Sequence, residues 1–251
     1  RTPSRAEPDA TVEFSATPPN ARVPFPVLIR NAPNADRSQL SETINAIEVG
    51  YRHQFDATLS VDVAVFSNYC SRLIGGRSGA QSIVFAPFPY VVQTVHPDNG
   101  LEGRTWGLEV ASDWRPQRNW RVQAAYSFLK ADIMASTTDP VTTASALSLA
   151  ESSPQHQLTL RSSHSLGNGR EFDARLRYVS SIQASTGSAG GVAAYTGLDL
   201  RYAWRPMPKL ALSVTAENLL NQSHSEFIPD KLPSLETLVP RSIHFKALWQ
   251  F

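Results

Sequence analysis

Apolar and polar residues alternate along most of the chain, and the alternation falls into nine segments. A period of two residues is typical of strands that present different faces to different surroundings. A tilted strand needs about 9 to 11 residues to cross a bilayer, and most of the segments are at least that long. The pattern predicts an all-β fold with strands at residues 42–56, 57–72, 105–115, 120–133, 154–165, 171–184, 195–205, 209–220 and 240–251.

The two faces of the predicted strands differ in composition. One face is largely apolar, as with Val61, Val63 and Val65 in the second segment, and the other mixes acidic and basic residues. A soluble β-sandwich also alternates and stays open as an alternative, but a charged face repeated over nine segments better fits lipid outside and a wet lumen inside. The predicted lumen-facing residues are Glu48, Arg52, Glu109, Arg121, Arg161, Asp173, Arg175, Arg177, Asp199, Arg201, Glu217 and Lys246.

The connections between segments alternate between short and long. The short ones are Asp56 with Ala57 and residues 115–119, 165–170 and 205–208, and the long ones are 73–104, 134–153, 185–194 and 221–239. Outer-membrane barrels have short periplasmic turns and longer extracellular loops, and aromatic girdles at both interfaces. Four tryptophans, Trp114, Trp120, Trp204 and Trp249, lie beside the short turns or the C-terminus. The short turns are therefore predicted to be periplasmic.

The direction of the first segment predicts that this chain is part of a longer barrel. Residues 42–56 would run from outside to inside, whereas bacterial single-chain barrels begin in the periplasm and have even strand numbers. An open sheet of nine strands would also leave backbone groups unpaired in hydrocarbon at both edges. We expect missing N-terminal strands, with residues 1–41 as an extracellular loop after a missing strand and residues 42–251 as the barrel portion.

Composition argues against several other classes of protein. The 23 basic and 22 acidic side chains nearly cancel without a run of like charges, so no nucleic-acid partner is expected. Cys70 is the single cysteine, and six scattered histidines form no metal motif. There is no Gly-x-Ser-x-Gly nucleophile elbow and no apolar run long enough for a spanning helix. We expect neither an enzyme nor a metal or cofactor site.

Two stretches near the end resemble signatures of TonB-dependent outer-membrane receptors. Residues 216–227, AENLLNQSHSEF, look like the penultimate-strand box of that family, in which an Asn-Leu core precedes a polar loop. Residues 240–251, PRSIHFKALWQF, resemble the signal that the barrel-assembly machinery reads, with Trp249 and Phe251 as its aromatic residues. Shorter stretches at 41–52, 105–110, 153–158 and 195–201 resemble the same family.

The resemblance implies an antiparallel transmembrane β-barrel of 22 strands, of which this chain would hold the last nine or so. It implies a place in the outer membrane of a Gram-negative bacterium, in contact with lipid. It also implies energy-coupled uptake of a scarce small-molecule ligand such as a siderophore–iron complex. The partners would be a plug domain, which this sequence lacks, the missing N-terminal strands and the TonB complex that acts on the plug.

Ligand contact is expected in the longest internal outer loop, because binding groups concentrate on loops held by a rigid scaffold. The aromatic or basic residues there are Phe88, Tyr90, His96 and Arg104. Two alternatives to a TonB-dependent receptor remain open. One is another outer-membrane barrel without TonB coupling, such as a porin, adhesin or barrel enzyme. The other is a soluble all-β binding module that is monomeric without detergent.

Overall fold

The computed structural model describes residues 11–20, 23–33, 39–183, 191–227 and 237–251, and strands dominate it. Nine long strands coincide with the nine predicted segments. In chain order, all the strands are β1 (Val12–Thr17), β2 (Val27–Asn31), β3 (Thr43–Gln54), β4 (Leu59–Val84), β5 (Tyr90–Gln117), β6 (Trp120–Ala135), β7 (His156–Gly167), β8 (Arg170–Val179), β9 (Tyr195–Met207), β10 (Leu210–Glu217), β11 (Ser223–Ser225), β12 (Leu238–Pro240) and β13 (Ser242–Trp249). One helix, α1 (Pro140–Ala150), lies between β6 and β7. The all-β prediction is confirmed.

The nine long strands form one antiparallel sheet in chain order, from β3 to β10 and then β13, and we call this sheet the wall. Its register places outward residues beside one another on successive strands. Tyr51 pairs with Val63, Val63 with Val110, and Val110 with Tyr126. A succession of neighbouring antiparallel strands is the topology of an up-and-down barrel wall.

Tight turns join the wall strands at one end. In the turn before β4, the carboxylate of Asp56 accepts hydrogen bonds from the backbone N–H groups of Thr58 and Leu59 at 2.6 and 2.9 Å. In the turn between β7 and β8, Gly167, Asn168 and Gly169 have φ angles of 78°, 53° and 70°. Glycine adopts this left-handed backbone without steric cost, and asparagine tolerates it. The predicted short connections are confirmed as tight turns.

The long connections lie at the opposite end and contain more structure than the sequence predicts. Residues 73–104, predicted as a loop, form the extended arms of β4 and β5, with the reversal between Val84 and Tyr90. The connection from β6 to β7 contains α1, and the one from β10 to β13 contains the small hairpin of β11 and β12. Most of the predicted loop 185–194 lies outside the residues that the structure describes.

The segment before residue 42 also contains strands where a loop was expected. Residues Val27–Asn31 of β2 pair in parallel with Val91–Val95 on the extended arm of β5. The other side of β2 pairs with β1, antiparallel. Residues 1–10, 21–22 and 34–38 lie outside the described part of the chain. The described portion of this segment therefore extends the sheet beside the arm of β5.

The apolar face of the wall has no covering layer in the described structure. Ile47, Val49 and Phe245 on this face are 73%, 70% and 83% exposed. Burying such a side chain gains about 1.5–3 kcal/mol relative to leaving it in water, so a water-soluble sheet would cover it. An exposed apolar face of this extent fits lipid as its solvent.

A small protein core lies under α1, on the extended arms of β4 and β5. Leu101 and Ala146 are buried there, and a Cβ added at Gly75 would lie 2.7 Å from Leu101. The carboxylate of Asp139 accepts hydrogen bonds from the N–H groups of Thr142 at 2.9 Å and Ser78 at 3.1 Å. Burial alone would raise the pKa of Asp139, but these hydrogen bonds lower it to about 2. The same carboxylate thus caps α1 and ties it to β4.

No helix in the described ranges is long and apolar enough to cross a membrane.

Candidate functional site

The inward face of the wall carries charged side chains that pair between neighbouring strands. Arg52 on β3 binds Asp62 on β4, and Arg121 on β6 binds Asp113 on β5. Arg175 on β8 lies 2.9 Å from the carboxylate of Asp199 on β9. The sequence predicts that these residues lie on the inward face, and the register of neighbouring strands then brings opposite charges together. Cross-strand pairs of this kind stabilise sheets.

Asp173 on β8 is an acceptor for side chains of both neighbouring strands. Its carboxylate accepts a hydrogen bond from the hydroxyl of Ser163 at 2.7 Å and another from Arg201 at 2.8 Å. Arg161 lies 3.8 Å away on the other side, and Arg201 also reaches Glu171 at 3.4 Å. One carboxylate therefore connects three adjacent strands, β7, β8 and β9.

Other inward charges lack such partners. Glu48, Glu109 and Lys246 form no ion pair with any residue in the described part of the chain. Glu217 accepts a hydrogen bond from the hydroxyl of Ser242 at 3.3 Å and lies 3.4 Å from His244. Near the tight turns, a cavity of about 450 Å³ lies against the inward arginines, including Arg121, Arg161 and Arg201. These three inward charges are therefore able to pair with groups inside the lumen.

A second cluster lies at the extracellular mouth, and the sequence analysis did not identify it as a unit. The ring of His224, in β11, stacks on Tyr195 with the ring centres 4.0 Å apart. The carboxylate of Glu226 lies 2.7 Å from Arg177 and 3.1 Å from His224. The guanidinium of Arg177 lies 5.4 Å from the centre of the Tyr195 ring. We call these four residues the mouth cluster.

The electrostatics of the mouth cluster favour a charged Glu226. Burial raises the pKa of Glu226, but hydrogen bonding to His224 and the charge of Arg177 outweigh it, so the pKa lies below its usual value. His224 Nδ1 and Arg177 Nε are buried and have no hydrogen-bond partner in the described structure. The cluster holds the last outer connection against β8 and β9.

A family model matches most of the chain. It describes a "TonB dependent receptor-like, beta-barrel" and covers residues 14–219. The chain belongs to the TonB-dependent receptor β-barrel family. No curated protein sequence matches this chain.

Solved structures of such receptors have the same fold. The ferric-catecholate import receptor Fiu from E. coli K12 aligns over 84% of this chain at a TM-score of 0.62 and 19% identity. A mutant of the ferric enterobactin receptor PfeA from Pseudomonas aeruginosa aligns over 99% at 0.66 and 12% identity, and the FrpB iron transporter from Neisseria meningitidis over 89% at 0.61 and 15%. The aligned parts are 28%, 36% and 33% of those three chains, so this chain spans about a third of their length.

The receptor family lies in the bacterial outer membrane and consists of receptors and transporters. The wall is thus a portion of an antiparallel transmembrane β-barrel with lipid on its apolar face. The predicted family, fold class and location are confirmed. Within the residues that the structure describes, no group of three or more His, Cys, Asp or Glu side chains is arranged to hold a metal ion.

The four ligand-contact candidates of this receptor barrel do not form one site. Phe88 and Tyr90 lie at the tip of the extracellular arm, with ring centres 6.2 Å apart. His96 is a structural contact, since its Nδ1 lies 2.9 Å from the backbone oxygen of Ala32. Arg104 lies 14 residues from Tyr90 along β5, a separation on the order of 45 Å in an extended strand. Arg104 also shares the parity of outward Trp106.

The penultimate-strand box acts as a structural corner in this receptor. Asn218 is 3% exposed and has a φ of 53°. Its backbone N–H donates to Asp199 at 3.0 Å, and its side-chain amide donates to the backbone oxygen of Val239 at 2.9 Å. Asn221 donates to the backbone oxygen of Thr196 at 2.6 Å. These hydrogen bonds explain why two asparagines stand at the end of β10.

Proposed function

We propose that the chain is the wall portion of a receptor that takes up a scarce ligand across the outer membrane, using energy delivered by a TonB complex through a plug domain. The observation that carries the proposal is the family match over residues 14–219. Fiu is a ferric-catecholate import receptor and PfeA a ferric enterobactin receptor. A siderophore–iron complex is therefore the ligand class that we favour.

The inward face supports this proposal through its free charges. Glu48, Glu109 and Lys246 would contact the plug, while the paired residues around Asp173 and Asp199 would keep the wall rigid. Phe88 and Tyr90 would contact the ligand first, since aromatic rings at an exposed tip offer flat apolar surface to a ligand. Residues 1–41 would belong to the extracellular side, because β2 pairs with the arm of β5.

The C-terminal strand would carry the assembly signal. Trp249 and Phe251 are 52% and 106% exposed, and Trp249 lies on the edge strand of the wall beside Leu210. Aromatic residues at the end of the last strand would be recognised by the barrel-assembly machinery before the barrel closes. Changing Phe251 to Ala would lower the amount of folded receptor in the outer membrane.

Uptake measurements on the receptor as its gene encodes it test the function. The receptor would be expressed in a bacterium without other siderophore receptors and supplied with a panel of siderophores carrying radioactive iron. We expect saturable uptake of one class, abolished by a protonophore and by deletion of TonB. Uptake that neither saturates nor requires TonB would identify a porin, and no uptake of any panel member would contradict the ligand class.

The ligand-contact residues are tested separately in the same receptor. Phe88→Ala combined with Tyr90→Ala should weaken ligand affinity by about fivefold or more, which corresponds to about 1 kcal/mol of lost contact. Lys209→Ala in a periplasmic turn is the control and should leave affinity unchanged. Equal affinity in the double variant would remove the tip from the ligand site.

A further inference from the structure

The mouth cluster joins two wall strands to the last outer connection. Arg177 and Tyr195 lie near the ends of β8 and β9 opposite the tight turns, and both share the parity of the inward residues of those strands. The ladder between β8 and β9 runs without a register shift as far as Tyr195 and does not involve the connection. Glu226 and His224 come from the connection instead. Arg177 and Tyr195 are thus held in place by the wall, and the connection brings Glu226 to them.

The carboxylate of Glu226 is surrounded by the three other members of the cluster. Arg177 Nη2 and His224 Nε2 lie 2.7 and 3.1 Å from its Oε1 atom. Burial raises the pKa of Glu226, but hydrogen bonding to His224, the charge of Arg177 and hydrogen bonding to Tyr195 together keep it below its usual value. The guanidinium, imidazole and phenol therefore form a site suited to anionic oxygens, and a side chain of the same protein fills it.

The fit of Glu226 in this site is incomplete. Both short contacts fall on Oε1, so the carboxylate does not hold the guanidinium through two parallel hydrogen bonds. Arginine binds carboxylates most strongly in that two-bond arrangement. The side chains of Arg177 and Glu226 are 35% and 34% exposed, whereas that of His224 is 8% exposed. An anion in the lumen is therefore able to reach Arg177, and one that binds both prongs of its guanidinium would compete with Glu226.

We propose that Glu226 is an internal inhibitor of an anion site formed by Arg177, Tyr195 and His224, and that an anionic group of the incoming ligand displaces it. A ligand with a carboxylate, or with another pair of anionic oxygens, fits this site because a carboxylate already occupies it. Internal occupation lowers the apparent affinity of a site to the extent that the site is rarely free. The role of the ligand rests on the uptake function proposed above, whereas the anion site itself does not.

The anion site is tested without any siderophore, on the complete receptor in detergent. The probe is trifluoroacetate, a carboxylate whose saturable binding is followed by fluorine NMR, and trifluoroacetamide is its neutral counterpart. Glu226→Ala empties the site, and Glu226→Ala combined with Arg177→Met also removes its main donor. Glu217→Ala is the matched control. Glu217 also lies beside a histidine, with His244 at 3.4 Å, but it has no arginine partner in the described part of the chain.

We expect trifluoroacetate to bind the Glu226→Ala receptor at least about fivefold more tightly than the unaltered receptor, which corresponds to a site that is free about a fifth of the time. The double variant and the Glu217→Ala control should bind it as weakly as the unaltered receptor. Equal binding with and without Glu226, tight binding that survives Arg177→Met, or equal tightening for trifluoroacetamide would overturn the anion site. A normal folded fraction for each variant, judged by resistance to unfolding in cold detergent, distinguishes lost binding from failed assembly.

Glu226→Gln tests the role of the ligand in the siderophore uptake assay. This change keeps the shape of the side chain and removes its charge, so half-maximal uptake of the transported siderophore should occur at a concentration about threefold lower. Arg177→Met should raise that concentration by at least about threefold. An unchanged concentration in both variants would overturn displacement by the ligand. A receptor that takes up no siderophore, yet gives the expected fluorine result, would refute the uptake function and the role of the ligand while the anion site stands.

Discussion

The two faces of the wall are built from the same strands but differ in what their side chains require of their surroundings. Outward residues such as Val49 and Phe245 are exposed and require only that their surroundings be apolar. Inward residues such as Asp173 and Arg201 require particular partners at particular distances. The outward face should therefore tolerate exchange among apolar residues and reject charge, while the inward face should tolerate charge and reject changes of shape or partner.

The inward glycine Gly107 offers the largest test of this difference. A Cβ at Gly107 would lie 2.2 Å from the backbone oxygen of Phe128 and 2.6 Å from the ring of Phe66. Because the backbone of β6 cannot retreat without losing ladder hydrogen bonds, Gly107→Ala should cost about 3 kcal/mol, the upper end of the usual cost of overpacking. The measurement is denaturant unfolding of the receptor in detergent. Gly197→Ala is the control, since a Cβ there would meet nothing within 4 Å, and an equal loss in both variants would refute the steric explanation.

A new charge on each face gives the next largest contrast. Val110→Arg places a cation on the lipid face between Trp106 and Trp114, and should cost about 2–3 kcal/mol. Ala111→Arg places the same side chain on the inward face beside its register partner Asp62, and should cost less than about 1 kcal/mol. Reversible unfolding in lipid vesicles measures both. If the two variants were equally destabilised, the assignment of the faces to lipid and lumen would fail.

Removing a partner on the inward face should have a moderate effect that depends on burial. Asp173→Asn removes the charge that Arg161 and Arg201 share, and the Asp173 side chain is 22% exposed. We expect a loss of about 1–2 kcal/mol in unfolding free energy. Asp62→Asn is the comparison, because its partner Arg52 is 82% exposed, and such pairs contribute about 0–1 kcal/mol. A larger effect at Asp62 than at Asp173 would contradict the ranking.

The smallest predicted effect concerns pH at the extracellular arm. The pKa of Asp139 is lowered by its hydrogen bonds from 3.8 to about 2, so its stabilisation is present above the higher value and is lost as pH falls through the lower one. The docking of α1 should weaken by about 1 kcal/mol across this window, after allowance for solvent screening. Hydrogen exchange of the α1 amides, corrected for intrinsic rates, measures this. Asp139→Asn keeps the cap but should remove the pH dependence, and an unchanged pH profile in that variant would exclude Asp139 as the cause.

The sequence predicts the membrane-spanning part of the fold well, because lipid demands an apolar residue at every second position. It predicts the extracellular arms poorly, since no such demand applies there. Gly75, Gly76 and Gly79 lie within β4 beyond the predicted spanning segment, and in a sequence glycine is typical of loops and turns. The first two make room for α1, which only the folded structure reveals.

The candidate site was predicted in part. The facing of Arg52, Arg121, Arg175 and Asp199 follows from parity, and register then pairs them with partners on neighbouring strands. The parity of Arg104 with Trp106 and Leu108 already predicts an outward side chain, a signal that its position in a presumed loop obscured. The mouth cluster has no local signal, because His224 meets Tyr195 only when the last outer connection folds back against β9.

The hydrogen bonds of Asn218 bear on how the final strand finds its place. Asn218 holds the backbone of Val239 beside the end of β10, which places Glu217 opposite Ser242 at the start of β13. A slip of one residue would turn Phe245 toward the lumen and Lys246 toward lipid. The register of the last strand is therefore anchored by local hydrogen bonds at its start, independently of the side chains that face lipid along its length.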